Sequence, residues 1–438
     1  MKPGMNLFYM LKAASAAHAR WEYETSMNIL RSKKRLLILG LLFLPCVLLA
    51  VAIASDQLPA ILGGHKAYSP AYSTSGLLWV STLIGLMAGL ITGCIGAGGG
   101  FIITPALMSV GVKGILSVGT DLFHIFAKAI MGTAVHRKLG NVSVKLAVAF
   151  VAGSFAGVVV GGGINRAIYE FNPVMSDLFI SLVYVFLLGF LGIYAMTDFL
   201  RLQRAGREHR TLAPDKEKVA KPPTPATTGL AQKLQSVKMP PLITFDEDIV
   251  PGGNRISGVF VAICGAVVGL VAAIMGVGGG FLTFPIFVYI LGVSSFTTVG
   301  TDILQIIFTA GFAAISQYAI YGFIFYTLAL GMLLGSLLGI QVGALTTKVV
   351  KGIYIRGFYA TAILAGFINR LFALPGKLNT MEYISISKGL ARTLDFIGLL
   401  VFFLIIGVFA IWVCAMFFKN LSKLKGEAES AKLVEEVA

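Results

Sequence analysis

Charged residues are scarce in this sequence: Asp, Glu, Lys and Arg make up 13% of its 438 residues, whereas 57% are hydrophobic. The mean hydropathy is +0.85. This composition excludes an ordinary soluble domain and is typical of a protein that crosses a membrane several times. The net charge of +15 would suggest nucleic-acid binding in a soluble protein. Here the basic residues collect in loops, as the positive-inside rule expects, so no nucleic-acid partner is predicted.

Cysteines and catalytic motifs are also few. The four cysteines lie in apolar segments without CxxC spacing, so the sequence indicates neither a disulfide framework nor a thiolate metal site. They are Cys46, Cys94, Cys264 and Cys414. No Walker A, HExxH or GxSxG motif is present, which argues against direct ATP use and against hydrolase chemistry. We therefore predict no enzyme activity, no catalytic residue, no metal and no cofactor.

What the sequence does contain is a duplicated motif. GAGGGFIITP at residues 96–105 recurs as GVGGGFLTFP at residues 276–285, and VGTD at 118–121 recurs at 299–302. The copies are offset by 180 residues at the first motif and by 181 at the second. Glycine-broken apolar segments at matching positions of two halves indicate the binding site of a secondary transporter.

Apolar runs and basic loops divide the chain into segments. The run 36–54 is long enough to span a hydrocarbon core of about 30 Å, and we interpret it as a retained helix, with a cleaved signal peptide as the alternative. The linker at 200–256 is basic and proline-rich, which predicts a solvated, poorly ordered segment. The predicted segments are a basic cytoplasmic arm (1–35), an extra N-terminal helix (36–54), repeat 1 (77–199), the basic cytoplasmic linker (200–256), repeat 2 (257–371), an extra C-terminal helix (394–418) and a cytoplasmic tail (419–438).

Each glycine motif interrupts a segment whose two arms are short for a membrane crossing. As helices, residues 77–92 would extend about 24 Å and residues 101–110 about 15 Å. Residues 258–274 and 281–291 repeat this pattern in the second copy. Further helices are predicted at 119–136, 142–163 and 178–199 in the first copy and at 303–321, 324–347 and 353–371 in the second.

The basic loops indicate the orientation in the membrane. They can all lie in the cytoplasm, together with both termini, only if each glycine-broken segment is a re-entrant hairpin; full crossings would put the basic linker outside. Each repeat then crosses three times, an odd number, so the repeats are inverted relative to each other. The predicted fold is an all-α polytopic membrane protein with two inverted repeats, each a glycine-broken re-entrant helical hairpin plus three transmembrane helices, and one extra helix at each end.

The glycines of the two motifs are the first candidate substrate-binding residues. Non-helical backbone at membrane depth must line a cavity or be buried in protein. The amides of Phe101 and Phe281 would open helices whose positive dipole ends attract anions. The alternative is that the glycines only let helices pack closely. The candidate glycines are Gly98, Gly99, Gly100, Gly278, Gly279 and Gly280.

The second motif supplies the candidate coupling residues. Thr120 and Thr301 could N-cap the following helix, with Asp121 and Asp302 in its first turn, which is a purely structural interpretation. An acidic residue inside a membrane is otherwise a functional candidate. Because a carboxylate repels an anion, we assign the two aspartates to coupling with H⁺ or Na⁺. The threonines are kept as candidate substrate-binding residues.

One helix face makes the two copies electrically unequal. Asp121, His124 and Lys128 are spaced i, i+3 and i+7, which places them on one face. The second copy has Asp302 and Gln305 at the first two of these positions. His124, Lys128 and Gln305 are therefore candidate substrate-binding residues. The alternative for Lys128 is snorkelling towards the cytoplasmic end of its helix.

The paired GxGGGFxxxP blocks, each followed by a Gly-Thr helix motif, resemble the sulfite exporter TauE/SafE family, also called the toluenesulfonate uptake permease family. The resemblance covers roughly 77–199 and 257–371. It implies two four-element repeats and transport of sulfite, sulfonates or related sulfur compounds. The family form with Gly-Thr-Ser differs from this chain, which has Asp121 and Asp302. By resemblance, the motif positions are Gly98, Gly99, Gly100, Pro105, Gly119 and Thr120 with Gly278, Gly279, Gly280, Pro285, Gly300 and Thr301.

The sequence thus predicts a secondary transporter of a bacterial-type cytoplasmic (inner) membrane. Its substrate would be a small sulfur-containing anion, moved by alternating access and coupled to H⁺ or Na⁺. The expected partners are this anion, the coupling ion and the lipid bilayer, with the protein a monomer or a homo-oligomer. An intramembrane enzyme is one alternative, and it would need a nucleophile beside a base. A membrane anchor or assembly partner without transport is the other.

Overall fold

The structure is a computed structural model, and it describes residues 58–67, 75–95, 99–138, 143–212, 229–237, 239–246, 253–347, 350 and 352–420. The chain divides into two units, Met1–Ala54 and Ser55–Ala438. The predicted arm (1–35) and first helix (36–54) lie outside the described residues. The same holds for Gly98 and for nearly all of the predicted tail.

The described part of the chain is helical apart from one small β-hairpin. Its α-helices are α1 (Ser75–Ile95), α2 (Gly100–Ser109), α3 (Gly114–Lys138), α4 (Val144–Phe171), α5 (Pro173–Leu212), α6 (Gly229–Ser236), α7 (Gly258–Met275), α8 (Gly280–Pro285), α9 (Ser295–Ala313), α10 (Tyr326–Thr347), α11 (Gly352–Thr380) and α12 (Lys388–Lys419). The antiparallel hairpin pairs β1 (Leu242–Phe245) with β2 (Asn254–Ser257). Helix α8 continues as a π-helix over Ile286–Leu291 and α9 over Ala314–Tyr318.

Eight of the described helices are long and apolar enough to cross a membrane, which confirms the predicted multi-pass helical architecture. They are α1, α4, α5, α7, α9 with its continuation, α10, α11 and α12. The first arm of each glycine-broken segment, α1 with 21 residues and α7 with 18, is therefore long enough to cross, and the prediction that this arm is too short is wrong. The helix α3 is not among them, although it has 25 residues. It carries Asp121, His124 and Lys128.

Helices of one copy pack against helices of the other. Helix α1 lies along α10 and α7 along α4, while α3 packs against α9 and α5 against α11. Glycines allow the close approach: a Cβ on Gly85 would lie 2.5 Å from the Cα of Met332, and one on Gly153 would lie 2.8 Å from the Cα of Ala262. Small residues at helix interfaces are typical of membrane proteins. The same pairing occurs twice with the copies exchanged, as expected of a duplicated unit.

Both copies are broken at their glycines. Helix α7 ends at Met275, and Gly276, Gly278 and Gly279 have φ of 83°, 64° and 90° before α8 begins. In the first copy Gly99 has φ of 73° immediately before α2. Positive φ is easily adopted only by glycine. The predicted interruption of each apolar segment is therefore present in the structure.

The helices that carry the second motif begin earlier than the sequence predicted. Helix α3 starts at Gly114, whose amide donates to Asp177 Oδ1 at 2.7 Å. Helix α9 starts after Ser294, whose hydroxyl accepts from the Thr297 amide at 3.2 Å. The structural alternative in which Thr120 and Thr301 cap these helices is therefore wrong, because both threonines lie inside helices whose starts are capped by other groups.

The prediction of a poorly ordered linker is wrong for its second part. Helix α6 packs on the second copy and the β-hairpin packs on helices of both copies. The side chains of Ile243, Phe245 and Ile256 join a buried cluster with Phe150 of α4 and Phe287. The alternating apolar residues of β1 supply this buried face. The basic stretch of the linker at 213–228 lies outside the described residues.

Candidate functional site

The two glycine breaks meet in the interior of the protein. A Cβ on Gly100 would lie 2.8 Å from the Cα of Val277, so backbone of one break touches backbone of the other. The next residues, Phe101 and Phe281, are 0% and 1% exposed, and their ring centroids are 6.2 Å apart. The candidate residues Gly99, Gly100, Phe101, Gly278, Gly279, Gly280 and Phe281 therefore lie together.

The helix starts at this meeting point have no side-chain caps. Neither Gly99 nor Gly279, the N-cap residues of α2 and α8, can supply one. The first described amide bonds run from Ile102 to the Gly99 carbonyl (3.1 Å) and from Leu282 to the Gly279 carbonyl (2.9 Å). Within the described residues, the amides at positions 100–101 and 280–281 have no hydrogen-bond acceptor. Two positive helix ends with open donors thus face the same region, as in known anion sites.

The opposite end of the second break is closed by side chains. The carbonyls of residues 273–275, the last of α7, accept from three different helices. Tyr318 Oη donates to the first, Asn165 Nδ2 to the second at 3.4 Å and Tyr184 Oη to the third at 2.6 Å. The carbonyl end of this break is therefore satisfied while the amide end is open, which favours an anion over a cation. The sequence analysis did not single out Tyr318, Asn165 or Tyr184. The only feature that could have identified them is a polar group in an otherwise apolar helix.

Asp121 and His124 form a buried pair, and each has one side-chain atom without a hydrogen-bond partner. Thr104 Oγ1 donates to Asp121 Oδ2 at 3.0 Å, and His124 Nε2 lies 3.0 Å from Ser336 Oγ. Asp121 Oδ1 and His124 Nδ1 have no hydrogen-bond partner and are 3.8 Å apart. Both side chains are completely buried. One proton or one water molecule between the two atoms would satisfy both of them.

Lys128 points into the protein and does not snorkel. Its side chain is 6% exposed, and its Nζ donates to Thr92 Oγ1 of α1 at 3.3 Å. The snorkelling alternative is therefore wrong. The predicted face of Asp121, His124 and Lys128 is thus one buried polar row. Among the residues that the structure describes, no group of three His, Cys, Asp or Glu could hold a metal ion.

The second copy replaces this row by a closed hydrogen-bond chain. Gln305 Nε2 donates to Asp302 Oδ1 at 2.8 Å and to Thr283 Oγ1 at 3.3 Å. Thr309 Oγ1 in turn donates to Gln305 Oε1 at 2.9 Å and shares a hydrogen bond with Ser154. The two aspartates occupy matching positions, yet Asp302 lies beside neutral groups and Asp121 beside a histidine and a lysine.

Thr120 and Thr301 hold the two copies together. Thr120 Oγ1 accepts from the Phe325 amide at 2.9 Å, directly before α10. Thr301 Oγ1 accepts from the Ser143 amide at 3.0 Å, directly before α4. Each hydroxyl thus accepts a hydrogen bond from an amide directly before a helix of the opposite copy. Both threonines therefore have a structural contact, and their substrate binding stays a prediction.

Comparison with known proteins adds evidence of a different kind. Residues 81–370, more than half of the chain, match the family model described as sulfite exporter TauE/SafE. The probable membrane transporter protein YjnA of Bacillus subtilis (strain 168) is 25% identical over 263 residues, which are 60% of this chain and 87% of YjnA. The probable membrane transporter protein YunE of the same organism is 30% identical over 111 residues, 25% of this chain and 39% of YunE. No solved structure matches the chain.

Proposed function

The chain belongs to the sulfite exporter TauE/SafE family, and from this premise we propose that it is a secondary transporter for a small sulfur-containing anion. Sulfite, sulfate, thiosulfate and organosulfonates form the candidate class. The observation that carries the proposal is the meeting of two uncapped helix starts, where Gly100 lies against Val277 and Phe101 against Phe281. An oxyanion can accept hydrogen bonds from these open amides without any cation being present.

The duplicated packing supports alternating access as the mechanism. The substrate would rest between the breaks at Gly99–Gly100 and Gly278–Gly280, and the two bundles would rock around it. The pairs α1–α10, α4–α7, α3–α9 and α5–α11 each join one helix from each copy. A movement of one copy would therefore change the walls on both sides of the break. Within this proposal the broken segments are re-entrant hairpins, the copies are inverted, and both termini are cytoplasmic in a bacterial-type inner membrane.

The buried row of α3 supports a role in coupling. Asp121 and His124 can share one proton across their 3.8 Å gap, and Lys128 brings positive charge to the same face of α3, where it can attract the anion. Asp302, with Gln305 as its donor, is the matching carboxylate for H⁺ or Na⁺ in the second copy. Thr120 and Thr301 keep the helix starts of the opposite copy in place around the site.

Counterflow in proteoliposomes tests this function. Vesicles with purified protein, loaded with unlabelled sulfite, sulfate, thiosulfate or taurine, receive the labelled compound with and without a Na⁺ or pH gradient. We expect accumulation of at least one of these anions, and none in protein-free vesicles. Formation of a chemically changed product would support the enzyme alternative instead. A lack of any substrate-dependent flux would support the anchor.

A further inference from the structure

Arg370 of α11 is a buried cation without a carboxylate partner. Its side chain is 1% exposed, and none of the ion pairs between described residues includes it. Two carboxylates are near it. Asp395 makes no ion pair with Arg370, and Asp177 is engaged by Lys377 Nζ at 3.6 Å and by the Gly114 amide at 2.7 Å. Arginine is almost never fully buried unless it is paired, because a charge removed from water loses its hydration.

One edge of the Arg370 guanidinium fixes the end of α2. Its Nη2 donates to Ser109 Oγ at 2.6 Å and to the Pro105 carbonyl at 3.2 Å. Its Nε and Nη2 also donate to Asn369 Oδ1, at 2.8 and 2.6 Å. None of the hydrogen bonds of Arg370 in the described structure uses Nη1. The guanidinium therefore has a satisfied edge towards α2 and an open end.

Asn369 adds a second open donor beside it. Its Oδ1 accepts from Arg370 and also from Ser109 Oγ at 3.0 Å, so the amide cannot be flipped without placing donors against donors. Its Nδ2 is buried and has no hydrogen-bond partner. Buried polar atoms without partners are rare in folded proteins, and each one suggests a missing ligand or water.

We propose that Arg370 and Asn369 form a second anion-binding station at the far end of α2. Arg370 Nη1 and Asn369 Nδ2 would donate to an oxyanion, whose charge would compensate the buried guanidinium. Helix α2 would then have the anion site of the break at its start and this station near its end. The two sites would be about 15 Å apart, because α2 has ten residues at about 1.5 Å each. The identity of the anion rests on the proposed function, so sulfite is the first candidate. The station would be a stopping point between the break and one face of the membrane.

A purely structural role for Arg370 predicts the opposite pattern of effects. Asn369→Asp keeps the Oδ1 acceptor, so the contact with α2 stays, but it replaces the open donor by a carboxylate that neutralises Arg370 and repels an anion. Ser109→Ala removes two hydrogen bonds of that contact, from Arg370 Nη2 and to Asn369 Oδ1, and leaves both open donors. If Arg370 is only structural, Ser109→Ala should lower the stability of the protein and Asn369→Asp should not. If the anion station exists, Asn369→Asp should abolish anion binding there and Ser109→Ala should keep it.

The test is equilibrium binding of ³⁵S-sulfite to the full-length protein in chloride-free detergent solution, with thermal stability as the check of folding. We expect Asn369→Asp to remove one binding site per chain, or to weaken it at least tenfold, while Ser109→Ala keeps the wild-type stoichiometry. Arg370→Gln is the second variant if Asn369→Asp does not purify, and it must lose the same site. A decrease from two sites to one supports both the station and the break, and a decrease from one to none supports the station alone. Wild-type stoichiometry in these variants, or no sulfite binding by the wild type, overturns the station, whereas the transport proposal is decided separately by counterflow.

Discussion

At Gly100 the backbones of the two copies are in contact, and a single methyl group would separate them. A Cβ there would lie 2.8 Å from both the Cα of Val277 and the Cδ1 of Ile125. The first of these neighbours is main chain and cannot move aside without shifting the second break. The close approach of the two helix starts therefore depends on the missing side chain at this position.

Gly100→Ala should reduce counterflow at least tenfold and lower stability, because overpacking of this kind costs about 1–3 kcal/mol. Gly163→Ala in α4 is the control, since a Cβ there meets nothing within 4 Å. We expect that control to keep full transport and to gain roughly 0.5–1 kcal/mol from helix propensity. Thermal unfolding and counterflow of both variants check this. Normal transport by Gly100→Ala would contradict the importance of the close approach.

The two aspartates should differ in their effect on coupling. Asp121→Asn removes the carboxylate that faces His124 Nδ1 across 3.8 Å, so we expect uptake to lose its dependence on the ion gradient while exchange at equilibrium continues. Asp302→Asn should have a smaller effect, because Gln305 already donates to this side chain at 2.8 Å. The measurement is uptake with and without imposed H⁺ or Na⁺ gradients. An unchanged ion dependence in the double variant would remove the coupling hypothesis.

The residue pattern of α3 shows how far the sequence alone can predict a site. Helical spacing placed Asp121, His124 and Lys128 on one face, and the structure shows them as one buried row. Their partners could not be predicted, because Thr104 comes from α2 and Ser336 from α10. Such contacts depend on which helices pack together, and a single sequence does not specify that.

Among the elements, the second part of the linker is held by hydrogen bonds to helices of the second copy. Asp246, directly after β1, accepts from the Ser294 amide at 2.8 Å and from Ser294 Oγ at 2.7 Å, at the start of α9. Gln235 of α6 donates to the Leu291 carbonyl at 2.9 Å, where the continuation of α8 ends. The linker thus holds the connection between the second broken helix and the helix that carries Asp302.

Asp246→Ala should destabilise the protein by about 1–3 kcal/mol, since buried donors of Ser294 and Thr297 would lose a charged acceptor. Asp198→Ala is the matched control. Its carboxylate pairs with Arg356 at 3.6 Å on the surface, with the aspartate side chain 43% exposed, so we expect a change below about 1 kcal/mol. Thermal unfolding gives the difference, and hydrogen exchange should rise at the start of α9 in Asp246→Ala only. Equal effects of the two substitutions would contradict the proposed role of the linker.

The elements differ in how well the sequence predicted them. The glycine breaks were predictable because backbone of positive φ strongly favours glycine, as at Gly99 and Gly279. The starts of α3 and α9 were not, because the residues that fix them, Asp177 and Asp246, are distant in sequence. Composition also misjudged the linker, whose short apolar strand β1 is hidden among basic and proline-rich sequence.

At the scale of the whole molecule, the exchange of partners between copies is the main feature. Helix α1 pairs with α10 and α7 with α4. A single copy would therefore expose the helix faces that it now buries against the other copy. Duplication was predictable from the repeated motifs. The partner choice was not, because every one of these helices is apolar and glycine-rich.

The proposed inversion of the copies is tested by cysteine accessibility in intact cells, in a variant without the four native cysteines. Hairpin-type breaks place residue 65 outside and residue 225 in the cytoplasm. We therefore expect His65→Cys to react with a membrane-impermeant maleimide at once, and Pro225→Cys only after lysis. Breaks that cross the membrane fully would place both residues outside. Labelling of both variants in intact cells would contradict the inverted arrangement.

The most direct test of the account is the position of a bound substrate analogue. Selenite, a heavier analogue of sulfite, can be located by its anomalous scattering in crystals of the wild-type protein. We predict a peak within hydrogen-bond distance, about 3 Å, of the amides at residues 100–101 or 280–281. A protein that exchanges sulfite but binds selenite only at other positions, with none at the paired helix starts, would contradict the proposed anion site between the two breaks.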